Sequence, residues 1–321
     1  MRNLGSLKQT FTSKTSLVYM VLAIAVTVFY FLNPRSITYL GMTLILQTTG
    51  ILGIVAIGQT IVLIGGSQGK AIGVDISVGS LIFVTTVIAC GLTLYDVPQT
   101  VVIILCCLWA LMIGSMNGLL VAKGKLHPII VTFAMFMVLR GLSYTLRYVT
   151  PAGDVIRFMG AGRVFGIPVP FLFFLSLMFL FVFIFNRVVF GRRLFAKSSN
   201  PLAARLVGVK TEKYTFLSYV ICSLLTGIAA LCYYGYVGQP TLEYTDMYTF
   251  ESMAAAILGG TGFGTGEGTV LGTLAGVFFI RFLFNLLHAY GFGDPLRKIV
   301  QGAIVITVVV GYSLIAERRR A

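Results

Sequence analysis

Few residues in this chain combine the type and the spacing needed for bond-making chemistry. Its two histidines, His127 and His288, lie far apart, one before Pro128 at the start of an apolar segment and the other near the end of a later one. Neither has a Glu or Cys at ligand spacing, so neither catalysis nor metal binding is expected of them. The five cysteines, Cys90, Cys106, Cys107, Cys222 and Cys232, all fall within apolar segments without metal spacing and read as small core hydrophobes. Gly69-Lys70 looks like the end of a phosphate-binding loop, G-x-x-x-x-G-K-[ST], but Ile64 occupies its first position and Ala71 its last. Gly262, Gly264 and Gly266 do not form G-x-G-x-x-G, and no βαβ unit surrounds them. With no nucleotide motif and no pairing of nucleophile and base, the remaining chemistry is recognition by isolated polar groups in an apolar setting.

Three charges stand out there. Asp75 is the carboxylate expected within the membrane, and Arg140 and Arg281 are the cations best placed inside apolar segments. A charge at the bilayer centre costs about 2.5–3.5 kcal/mol on insertion scales, so it faces a protein interior or a cavity. Asp75 precedes Ile76-Ser77-Val78, where it serves either as a helix N-cap or as a ligand contact. Arg140 can snorkel toward the outer surface. Arg281 sits near the middle of its segment, so a packed or pore-facing partner is expected.

The elements that must position these groups are membrane helices. Hydrophobic residues make up 57% of the 321-residue chain and charged residues 11%, a balance no soluble domain of this size sustains. The net charge of +14 is carried mostly between apolar runs, so topology explains it and nucleic-acid binding is not expected. Stretches able to cross a ~30 Å hydrocarbon core fall at 16–32, 41–64, 72–94, 98–122, 128–148, 169–190, 215–237, 250–266, 269–290 and 296–315. The expected fold is therefore an all-α polytopic membrane protein of about ten helices, forming a single transmembrane domain over 1–321. The first stretch, preceded by Arg2, Lys8 and Lys14, suits either a signal peptide or a helix; Asn33, Pro34 and Arg35 follow it in place of a small-residue cleavage site, so an uncleaved helix is expected.

Orientation follows from the longest polar interval, 186–215. It carries Arg187, Arg192, Arg193, Lys197, Arg205, Lys210 and Lys213 against Glu212, which places it in the cytoplasm. Both termini, with Arg318, Arg319 and Arg320 at the last, then fall inside with Lys123 and Lys125, while Glu243, Asp246 and the loop 149–168 fall outside. Arg35, Arg157, Arg163, Arg297 and Lys298 also fall outside, against the trend. Within the interval, Asn200 is a good N-cap, Pro201 suits the first helical position, and Gly208 stops the helix. A short capped helix on that face suggests a docking surface.

Two glycine-rich stretches, Gly65 to Ser80 and Gly259 to Gly272, interrupt the apolar pattern. Each glycine weakens a helix by about 1 kcal/mol relative to alanine. Freed backbone groups have no partner in lipid, so these stretches are either close-packed turns or broken, re-entrant helices beside a solute path.

The residues resemble a known family, the integral-membrane permease subunits of bacterial ATP-binding-cassette (ABC) importers for monosaccharides, of the ribose-permease type. The likeness runs from about Gly53 to Gly311. It lies in Gly58-Gln59-Thr60 with Gly65-Gly66 and the Val74 to Ser80 signature, in Pro128 to Thr132 with Arg140-Gly141, in Asn200 to Val209, and in Leu258 to Thr261 with Gly266 to Thr273. Ser67 to Gly73 makes a longer join than the family's. The resemblance implies a multi-pass protein of the bacterial inner membrane that works with a second permease, identical or paralogous, a cytoplasmic ATPase and an extracytoplasmic solute-binding protein. It implies that ATP and Mg bind the ATPase and that this chain, surrounded by lipid, binds no cofactor.

On this reading the protein is not an enzyme but the path through which a monosaccharide or similar polar solute is imported by alternating access. Asn200, Pro201, Leu202, Ala203, Ala204, Arg205, Leu206 and Gly208 are assigned to ATPase coupling, with Leu202 and Leu206 as contacts and Arg205 as the charge. Gln59, Asp75, Ser77, Thr132 and Glu251 are assigned to the solute path, because single hydrogen-bonding groups suit a hydroxyl-rich ligand. Gly65, Gly66, Gly79, Gly259, Gly260, Gly266 and Gly268 are assigned to hinges and close packing. An ion-gradient transporter using Asp75 or Glu251 is the competing class, and a channel is disfavoured because no filter motif is present. Autoinducer-2, a nucleoside or inositol are the alternative solutes.

Overall fold

A computed structural model of the chain describes residues 38–67, 71–145, 149–262 and 267–293, with scattered positions between 19 and 31 and between 295 and 310. The helices are α1 (Tyr39–Gly65), α2 (Val78–Leu94), α3 (Gln99–Ala122), α4 (Pro128–Thr145), α5 (Asp154–Ala161), α6 (Val169–Arg187), α7 (Val189–Ser199), α8 (Pro201–Leu206), α9 (Thr211–Val237), α10 (Leu242–Leu258) and α11 (Val270–Ala289). Their ends follow local chemistry. The Thr38 hydroxyl accepts from Gly41 N–H to start α1, and Thr269 does the same for Gly272 in α11. Pro128 opens α4, where its missing N–H costs nothing. α9 stops at Gly238, whose φ of +79° is readily adopted only by glycine.

Two helices form the centre. Every residue of α1 from Thr49 to Gly65 is buried, as expected of a helix that is apolar on all sides. α9 packs against α1, α2, α3 and α5. Small residues set two seams. On α3, Gly114 and Gly118 stand four apart; a Cβ on Gly114 would lie 2.7 Å from Ser223 Cβ, and one on Gly118 2.9 Å from Phe216 O, both on α9. On α11, Gly272 and Gly276 have the same spacing, and a Cβ on either would overlap the carbonyl of Gly259 or Ala255 on α10. This small-xxx-small spacing lets helices meet backbone to backbone in lipid.

The turns gather at two ends. One end, the basic end, holds Gly65–Ser67, Lys123–His127 and the stretch from Arg187 to Thr211; Lys197 and Thr215 both bond Ser67 there. The opposite end holds α5, where Gln99 Oε1 accepts from the N–H groups of Val155 and Ile156, and where the Tyr234 hydroxyl donates to Thr150 O.

Among the described residues, six helices are long and apolar enough to cross a membrane: α1, α3, α4, α6, α9 and α11. The expected ten therefore stands as at least these six, and most of 16–32 and much of 296–315 lie outside the described residues. Two expected spans take a different form. The helix expected at 72–94 begins only at Val78, leaving 71–77 non-helical, and the span expected at 250–266 is a helix over 242–258. Gly73 ahead of α2, and Gly259, Gly260 and Gly262 after α10, are non-helical connection. The interval 186–215 holds α7 as well as α8; its Leu194 is fully buried, anchoring a helix whose polar composition concealed it. The loop 149–168 contains α5 and a two-residue hairpin pairing Arg163–Val164 with Ile167–Pro168, a small departure from an all-α fold.

Candidate functional site

Four of the five residues assigned to the solute path converge on the non-helical stretch before α2. The Gln59 amide donates to Asp75 O at 2.6 Å, and the Thr132 hydroxyl reaches Val74 O at 3.3 Å. Asp75 Oδ1 accepts from both the N–H (2.9 Å) and the hydroxyl (2.6 Å) of Ser77, and Asn117 on α3 donates to that same hydroxyl at 3.1 Å. Asp75 thus closes a turn immediately ahead of α2, with Ser77 itself at the N-cap position. Gln59, Asp75, Ser77 and Thr132 are each at most 1% exposed. Their bonds brace the backbone that the break leaves without helical partners. Asn117 is the member that sequence reading did not single out; its signal is an amide in an otherwise apolar helix.

Glu251 lies elsewhere. It pairs with Arg281 across the α10–α11 contact at 3.1 Å, and the Arg281 guanidinium lies 5.2 Å from the centre of the Tyr248 ring. This supplies the partner expected for Arg281. Tyr233 meets Tyr248 edge to face. These groups, with Gln239, Tyr244, Asn285 and His288, line a cavity of about 470 Å³ toward the opposite end. The guanidinium keeps buried Nε and Nη2 donors without a hydrogen-bond partner among the described residues. Aromatic faces beside a fixed ion pair and terminal amides make a lining suited to a ring bearing several hydroxyls. Arg140 takes a different role, pairing with Asp246 of α10 and lying 5.9 Å from the Tyr144 ring centre.

At the basic end, Asn200 Oδ1 accepts from Ala203 N–H at 3.0 Å, Pro201 opens α8, and Gly208 ends it at φ +81°. Ala204 is the buried residue of α8. Leu202, Leu206 and Val207 project outward, 73%, 89% and 78% exposed. Arg205 Nε donates to Thr211 at 2.8 Å, which ties α8 to the start of α9. Beside it, Lys123, Arg205, Lys210 and Lys213 line a second cavity of about 550 Å³ with Leu119 and Phe216.

Lys197 on α7 is buried, 2% exposed. Burial, with the positive charge of Arg205 added to it, pushes its ammonium down to about 7. Because the folded value is depressed, the folded protein carries the full cost of a buried cation below that pH. The cost fades between about 7 and lysine's ordinary 10.5, where only the unfolded chain holds the proton. Melting temperature is therefore expected to rise with pH across that window more steeply in the wild type than in Lys197→Met. Equal slopes in the two proteins would refute the assignment.

The assigned glycines divide by role. A Cβ on Gly79 would lie 2.6 Å from Thr249 Oγ1 and one on Gly259 2.5 Å from the Gly272 carbonyl carbon, so both are close-packing positions. Gly65 and Gly66 end α1 against Leu194, Ser218 and Tyr219, and Gly268 lies against Ile64. Gly260 turns the chain at φ +87°, and Gly266 lies outside the described residues.

Residues 41–309 match the family described as the branched-chain amino acid transport system / permease component. The chain belongs to this permease family. The permease is 28% identical to the ribose import permease of Escherichia coli (strain K12) over 286 residues, 87% of each chain. It is 31% identical to the ribose import permease of Bacillus subtilis (strain 168) over 301 residues, 91% of this chain and 90% of that one. It is 27% identical to an autoinducer 2 import system permease of Enterobacter sp. (strain 638) over 310 residues, 93% and 92% of the two chains. No solved structure matches it. The permease is thus a multi-pass inner-membrane subunit of the ABC-importer class that moves solute, as the motif resemblance implied.

Proposed function

We propose that this permease imports a small hydroxylated solute, a monosaccharide in the first instance, by alternating access driven by a separate cytoplasmic ATPase. The observation that carries the reading is α8. A capped helix at the basic end holds Leu202, Leu206 and Val207 in water beside a cavity where Lys123, Arg205, Lys210 and Lys213 outnumber Glu212, an arrangement a monomer has no use for and a partner would cover. At the far end, the cavity around Glu251 and Arg281 gives the solute its polar contacts. Relatives named for ribose and for autoinducer 2 agree with a polyhydroxylated ligand. ATP and Mg belong to the ATPase, a binding protein delivers solute from outside, and a second permease copy or paralogue completes the path.

The test is purification of the tagged protein from mild detergent with identification of the proteins that accompany it. An ATPase with a phosphate-binding loop is expected. Leu202→Asp with Leu206→Asp should weaken its retention about tenfold or more, since each buried apolar anchor contributes on the order of 1–2 kcal/mol. Arg205→Ala with Leu202→Ala should lower transport and stimulated ATPase activity together. Unchanged retention and unchanged transport in these variants would overturn the reading.

A further inference from the structure

Lys197 is fastened in a way its position on a polar helix does not require. Its Nζ donates to Gly65 O, to Ser67 O at 2.8 Å and to Ser67 Oγ at 3.4 Å. An ammonium has three donors, and all three find acceptors in the few residues where α1 breaks. Among the described residues no carboxylate lies within ion-pair distance of it. The cation is held by backbone and one hydroxyl, so its stability in the fold depends on the conformation of the break itself.

The break is gripped from other directions too. Thr215 on α9 reaches Ser67 O at 3.4 Å, and the Tyr219 hydroxyl donates to Gly66 O at 3.2 Å. Gly73 folds back against Gly66 and Ser67, and Asp75 follows two residues later, held by Gln59. On its other side Lys197 lies three residues before Asn200, the cap of α8, so about 4.5 Å of helix separates the two. α7 and α8 are joined through Asn200 alone.

We propose that Lys197 is the positioning residue that ties movement of α8 to the break between α1 and α2, so that the ATPase-facing helix and the segment holding Asp75 shift as one body. The proposal rests on the reading of α8 as the ATPase contact. Ser67, the residue where α1 gives way to the non-helical join, is then the receiving end of the tie.

The test uses the whole complex with its co-purified ATPase in lipid nanodiscs. Backbone hydrogen exchange is compared without nucleotide and with Mg-ATP plus vanadate. In the wild type, peptides over 200–208 and over 60–67 and 71–79 are expected to respond together. In Lys197→Met, the response at 200–208 should remain and that at 60–67 and 71–79 should be lost. A general weakening of structure would instead raise exchange in both nucleotide states alike. A wild type whose 60–79 region is silent while α8 responds overturns the proposal even if Lys197→Met cannot be purified. So does a Lys197→Met complex that keeps both responses. A preparation without ATPase, or an α8 indifferent to nucleotide, would instead overturn the importer reading on which the proposal stands.

Discussion

Arg281→Met is expected to lower the thermal stability of the permease sharply and to abolish solute uptake. Glu251 is 4% exposed and faces the guanidinium at 3.1 Å. Removing one member of a buried pair strands the other's charge, at about 3–5 kcal/mol, whereas replacing both with apolar side chains of similar volume is often neutral or stabilising. The double variant Arg281→Met with Glu251→Met should therefore regain most of the lost stability. It should not regain uptake, because the guanidinium donors and the carboxylate are central polar groups of the cavity proposed to receive the solute. Melting of the purified protein and uptake of labelled ribose in cells separate the two effects. Uptake restored along with stability would show that the pair only holds α10 to α11 and that the solute passes elsewhere.

Gly276→Val is expected to be strongly destabilising. A Cβ at this position would overlap Ala255 O and lie 3.0 Å from Gly259 N. Both obstacles are helix backbone, which cannot rotate aside as a side chain can, so α10 must move away bodily. Overpacking of this kind costs on the order of 3 kcal/mol or more, and it would also draw Glu251 away from Arg281. The control is Gly141→Ala. Nothing lies within 4 Å of where its Cβ would be, so the helical gain of about 0.5–1 kcal/mol should appear undiminished. Monodisperse yield and melting temperature measure both; a Gly276→Val protein as stable as the wild type would rule out the close seam between α10 and α11.

Sequence reading reached different depths at different places. The α8 helix was legible almost to the residue, because an Asn-Pro start and a glycine stop are local signals that tertiary packing seldom overrides. That Arg281 needed a partner was legible from its depth in an apolar run. That the partner was Glu251 was not, since nothing in one chain says which turns of two helices face each other. The break at Gly65 to Ser77 was visible as glycine density, yet its organisation depends on Asn117 and Lys197, which come from distant elements. α7 was missed for a physical reason. It is held by Leu194 against Gly65 and by the Lys197 bonds, not by a regular apolar stripe. The ends of α2 and α10 were misplaced because hydropathy scores glycine as membrane-compatible, while the backbone there leaves the helix to meet side chains from neighbours.

The two glycine seams also limit how the molecule can change shape. Where α3 meets α9 and where α10 meets α11, glycines let the helices approach so closely that an added Cβ has no room. Each pair therefore behaves as a single rigid lever rather than as two helices free to slide. α1, buried along its inner length, is bonded to α11 through the Thr60 and Thr273 hydroxyls at 2.7 Å and also packs against α9, so it touches both pairs. Any rearrangement that keeps both seams intact must move each helix pair as a unit.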